Sequence, residues 1–162
     1  MSSADGDLIR RVTELERMAQ MRPDRAVASG ARVYNSAAIS IGTNTSTALT
    51  FDTERYDTSA YHTAGGSRLT APATGYYLII GNVRWASNAT SYRQIGIQLN
   101  GGSFIALAIS PPASTVIVQT ISTVYLLDVN DYVELAVRQD TGGALNVDAT
   151  TSYSPEFMIA LL

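Results

Sequence analysis

One histidine, His62, and fourteen carboxylates are the groups in this 162-residue chain from which acid–base, nucleophilic or metal chemistry could be built. A histidine acting as general base needs a nucleophile to deprotonate and an acid to orient its ring. Tyr61-His62-Thr63 supplies neither by spacing, so His62 is expected to be a surface or loop residue. Asp52 and Glu54 lie two apart on an extended stretch and face the same side, where a solvated edge accounts for them better than paired acid–base work. The remaining acids in turns, Asp57, Asp128, Asp131 and Asp140, could offer loop oxygens to a cation, but no EF-hand spacing or dense acidic loop is present. Without a single cysteine there is no disulfide, no thiolate metal site and no thiol nucleophile. Gly65-Gly66 and Gly101-Gly102 read as turn glycines, because no helix begins after either pair. The residues therefore predict neither an enzyme nor a cofactor site.

The elements that must position these groups are mostly strands. Residues 7–21 form the one helical segment: Asp7 is suited to the N-cap, no Gly or Pro interrupts the run, and Pro23 ends it. Leu8, Val12, Leu15 and Ala19 recur at alternating spacings of four and three, the seam of a short coiled coil. Two heptads are marginal in water, so this helix is expected to form only when packed, and Leu8, Val12 and Leu15 are its predicted anchor residues. Residues 22–31 contain Pro, Gly and small side chains and read as a linker. From residue 32 to 162 the chain is rich in Thr, Ser, Val, Ile, Tyr and Leu, in short alternating segments with turns between them, as in an all-β sandwich. Strands are predicted near 32–40, 47–53, 58–62, 67–70, 76–85, 92–99, 103–109, 114–127, 131–139, 144–148 and 155–162. Asn100-Gly101 marks a tight hairpin.

Strand 76–85 alternates so that Tyr77, Ile79, Val83 and Trp85 share one face while Tyr76, Leu78, Ile80 and Arg84 share the other. Both faces are mainly apolar, so the strand is expected to be covered twice, by the partner sheet and by a neighbouring subunit. The closing run Phe157 to Leu162 is equally apolar.

All eleven basic residues are arginine, the formal charge is −3, and no basic face offers a nucleic-acid footprint. The acidic start, Met1 to Asp7, has neither the basic region nor the apolar core of a secretory signal, and no run approaches the ~20 apolar residues of a membrane span.

Phe51-Asp52, Tyr61, Leu69-Thr70-Ala71-Pro72 with Gly75-Tyr76-Tyr77, and Tyr125 to Leu135 follow one another in an order that resembles the C1q/TNF-like jelly-roll family. Leu69 stands where that pattern has an aromatic, and Asn130 where it has a turn glycine. The resemblance implies an all-β, ten-stranded sandwich over 32–162 that assembles as a homotrimer about an apolar axis. Tyr77, Ile79, Trp85, Tyr125, Tyr132, Phe157, Ile159 and Leu161 are the residues expected to build its core and trimer contacts. It also makes calcium, bound near the apex, the one ion worth seeking. The combined expectation is a non-enzymatic virion protein of a tailed bacteriophage, assembled in the host cytoplasm. Its partners would be itself and the major capsid protein or another virion component. Capsid decoration is favoured, with a receptor- or glycan-binding knob of a tail fibre or spike as the alternative.

Overall fold

The computed structural model describes residues 3–21 and 29–162. An α-helix, α1 (Ser3–Met21), precedes twelve strands. They are β1 (Gly30–Tyr34), β2 (Ile39–Ile41), β3 (Thr47–Ala48), β4 (Thr53–Asp57), β5 (Arg68–Thr70) and β6 (Gly75–Trp85), followed by β7 (Arg93–Leu99), β8 (Phe104–Ser110), β9 (Ile117–Leu127), β10 (Tyr132–Gln139), β11 (Leu145–Val147) and β12 (Glu156–Leu161). One sheet has seven strands in the order β2-β11-β6-β12-β1-β4, with β9 also paired to β6; the other has five, β3-β10-β7-β8, with β5 paired to β10. Every pairing between named strands is antiparallel. None of the described helices is long and apolar enough to cross a membrane.

The sheets close on a core in which Tyr77, Ile79, Val83 and Trp85 of β6 meet Ile95 and Ile97 of β7, Val133, Leu135 and Val137 of β10, and Phe157 and Ile159 of β12. The period-two alternation of β6 is thus obeyed along its length. Gly81 interrupts its apolar inner row because a Cβ there would lie 2.3 Å from a Leu135 methyl. Trp85 Nε1 donates to buried Gln119 at 2.8 Å, so the largest core side chain leaves no unpaired donor.

Several boundaries differ from expectation. The helix starts at Ser3, so Asp7 lies within it and is not the N-cap. Residues 22–28 of the expected linker lie outside the described residues, and its end is strand: Gly30 and Ala31 pair with Ala160 and Ile159. Smallness at these positions reflects close packing, since a Cβ on Gly30 would fall 2.4 Å from the Ile159 carbonyl oxygen. The strand expected at 58–62 is a turn, and the strand is 53–57. Asp57 decides this by accepting from the backbone N–H of Ser59, Tyr61 and His62, which a ladder would otherwise need. The turn at Asn100-Gly101 forms with both residues at positive φ, 52° and 66°, and Asn130 takes the left-handed turn position at 72°.

Candidate functional site

The outward face of the seven-stranded sheet changes character along its strands. At one end Tyr76 stands opposite Leu126, and Leu78 stands between Ala160 and Val124. One row further, Ile80 lies between Met158 and Ser122. Tyr76 is 61%, Val124 53% and Leu126 49% exposed, a contiguous apolar patch of the kind that marks an interaction surface. Both the entry and the exit of the β domain are at this end: Leu161 N–H donates to Ser29 O, and Leu162 N–H to Tyr76 O.

The other end is polar. Asn82 sits between Glu156 and Thr120, and Arg84 opposite Val118. Glu156 is 2% exposed; Arg32 Nη2 donates to its Oε2 at 2.7 Å, and Arg55 Nε donates to its Oε1. Arg55 also donates to the Thr151 carbonyl and lies over the Tyr34 ring, 4.6 Å from its centroid. The hydrogen bond to Glu156 raises the Arg32 pKa above its ordinary value. Arg84 is paired with Asp148 at 2.7 Å. Between the polar and apolar parts lies a recess of about 210 Å³ lined by Arg32, Ile80, Asn82, Glu156 and Met158.

A second apolar surface runs along the open side of the sandwich, where β8 ends the smaller sheet and β9 the larger. Leu107, Ile109 and Val116 are exposed there. Beyond it, the loop between β6 and β7 is built around Arg93, which is wholly buried and faces no carboxylate. Its guanidinium donates to the carbonyl oxygens of Asn88, Thr90, Ser91 and Tyr92, and burial lowers its pKa. Four main-chain acceptors on one rigid cation fix the loop's shape.

The residues singled out for chemistry serve the scaffold. His62 is in a loop, but it is buried and not on the surface: Nδ1 lies 3.0 Å from Glu54 Oε1 and Nε2 3.3 Å from Gly66 O. With both ring nitrogens engaged, none is left to face a nucleophile. Asp52 accepts from Ser36 and Thr53, and the Ser36 hydroxyl lowers its pKa. Asp131 accepts from Asn100 Nδ2 and Asp128 N–H, which lowers its pKa. Among the described residues no three His, Asp or Glu side chains form a group able to hold a metal ion.

Of the residues expected to make the core and trimer contacts, Tyr77, Ile79, Trp85, Phe157 and Ile159 are sealed within a single chain. Leu161 packs partly against that core, and Tyr125 is partly exposed on edge strand β9. Tyr132 lies on the outer face of the smaller sheet under the Arg68 guanidinium, because its neighbour Val133 takes the inward position. Leu8 and Val12 of α1 are exposed, at 64% and 46%, while the Leu15 side chain lies outside what the structure describes. The sequence reading missed the Glu156 cluster. Its signal was a lone acid at the head of an apolar closing strand.

No protein-family model and no curated protein sequence matches this chain. Solved structures do. Murine APRIL superposes with a TM-score of 0.65 at 14% identity, covering 83% of this chain and 99% of that one. Eiger TNF from S. frugiperda gives 0.60 at 13% identity, covering 83% and 92%. The globular domain of zebrafish complement 1qA gives 0.57 at 12% identity, covering 83% and 96%. The fold is the C1q/TNF-like jelly roll. At these identities the likeness concerns the fold alone, and what a C1q/TNF-like jelly roll does here must be argued from its surfaces.

Proposed function

We propose that the protein is a non-enzymatic interaction module that works as a homotrimer, its copies packed through the outward face of the seven-stranded sheet. The observation that carries this is the apolar patch of exposed Tyr76, Val124 and Leu126 around half-buried Leu78, at the end of the sheet where the chain enters and leaves. A second, different apolar surface on the open β8–β9 side supplies the complement for a head-to-tail contact, and such contacts form closed rings when the rotation permits. The ring size of three is what the family resemblance implies. The β domain is entered at the same end as the patch, and on this reading three helices pair along the ring axis through Leu8 and Val12.

The finer placement is on a tailed-phage particle, as a capsid decoration protein whose α1 docks on the major capsid protein. Its support is the exposed apolar side chains Leu8, Ile9 and Val12 of α1 together with a cysteine-free chain suited to assembly in a reducing cytoplasm. A receptor- or glycan-binding knob of a fibre or spike is the second reading, favoured by the preformed loop around Arg93. Copy number on the particle separates the two, many on the shell against a few at the tail.

Light scattering tests the oligomer directly. The expected mass is three times the 17.3 kDa of the chain, and Leu126→Arg, which places a charge in the patch, should yield a folded monomer. A wild-type monomer at high concentration would refute the proposal.

A further inference from the structure

The Arg32–Glu156–Arg55 cluster carries one more positive charge than it neutralises, on the face that association would cover. Each Glu156 oxygen already holds one guanidinium, and the neighbouring Arg84–Asp148 pair is neutral. Arg32 gives one of its five donors to Glu156 and lines the recess, with its side chain 39% exposed. The Asn82 amide in the same recess has no hydrogen-bond partner among the described residues.

The surplus calls for a counter-charge from whatever covers this face, and the chain's own open edge brings none. From Asn100 to Leu127 there is no Asp, Glu, Lys or Arg. An uncharged surface can return hydrogen bonds to a guanidinium, as the carbonyls around Arg93 do, but it brings no counter-charge for the one whose water it removes.

We propose that the recess is an oxyanion site. It takes a small oxyanion of phosphate type, held by Arg32 and the Asn82 amide, with Ile80 and Met158 as apolar walls, the Glu156 carboxylate already paired with Arg32 and Arg55 on the remaining side, and a second copy as lid. The planar guanidinium matches two oxygens of such an anion at once. This inference rests on the reading that copies associate through this face, and the anion then acts as a counter-charge that makes the polar half of the contact tolerable.

Calorimetric titration with inorganic phosphate, and light-scattering mass over a dilution series in phosphate or in chloride of equal ionic strength, test it on the intact chain. Phosphate should bind the wild type and lower the concentration at which trimer dissociates by about tenfold relative to chloride. Arg32→Gln should lose both effects. Because that change also breaks an ion pair, Asn82→Asp is the cleaner variant: it brings a second, unpaired carboxylate into the recess, leaves every ion pair intact, and should lose phosphate binding while unfolding at the wild-type temperature in chloride. No heat with phosphate, or equal binding in wild type and Asn82→Asp, overturns the site. A trimer indifferent to phosphate overturns the counter-charge role and leaves the trimer standing. A monomer that binds phosphate in an Asn82-dependent way supports the site and sinks the trimer.

Discussion

Glu156→Gln is the substitution whose cost the structure sets most closely. The carboxylate is 2% exposed, and its two partners are 39% and 29% exposed at the side chain, so the cluster lies between a surface pair and a buried one. Fully exposed pairs contribute about 0–1 kcal/mol, and breaking a fully buried one costs about 3–5 kcal/mol. Discounting for the solvated guanidiniums gives about 1 kcal/mol for each of the two pairs, roughly 2 kcal/mol in all. The Gln amide adds to the damage, because its NH2 must face one of two donors. For a chain of this length that corresponds to a fall of roughly 4–8 °C in Tm. Thermal unfolding followed by circular dichroism would read it, at low and high salt, and part of the loss should shrink at high salt as the exposed guanidiniums are screened. Arg84→Gln, which removes a single more solvated pair, should cost about 1 kcal/mol or less. A Glu156→Gln protein melting within about 1 °C of wild type would refute the reasoning, since the structure would then contain a buried carboxylate of no consequence to folding.

Gly81→Ala places a methyl 2.3 Å from Leu135 Cδ1 in the middle of β6 and should cost about 1–3 kcal/mol by chemical denaturation, with Leu135→Val recovering part of it. Asp131→Asn should destabilise at neutral pH and lose that effect in acid: the folded-state pKa is lowered, so the carboxylate's contribution is present above the ordinary value of about 3.9 and vanishes as pH falls through the lower folded one. Unfolding of both proteins from pH 7 to pH 2 checks the convergence. Deleting residues 1–21 should leave the β-sheet circular dichroism intact and abolish co-sedimentation with phage particles; retained attachment would remove α1 from its proposed role.

Much of the scaffold was legible in the sequence because the signals for it are local. The alternation of β6 assigned Tyr77, Ile79, Val83 and Trp85 to one face and Tyr76, Leu78, Ile80 and Arg84 to the other, and strand geometry leaves no second solution once one row is buried. Asn100-Gly101 and Asn130 announced their turns, because few other residues accept positive φ. The short motifs from Phe51 to Leu135 pointed to the jelly roll through their order and spacing together.

What the sequence could not determine is which distant groups meet. Arg32, Arg55 and Glu156 are separated by as many as 124 positions, and they form one cluster only because β1 lies between β12 and β4. His62 looked like a surface residue because Glu54 and the Gly66 carbonyl reach its ring only after Asp57 has bent the chain. Arg93 gave no sign of being a buried cation, since the carbonyls that solvate it belong to a loop whose shape it creates. Periodicity and turn chemistry act between neighbours and can be read along the chain, whereas pairing of charge and burial of polar groups depend on strand order, which only the closed sandwich fixes.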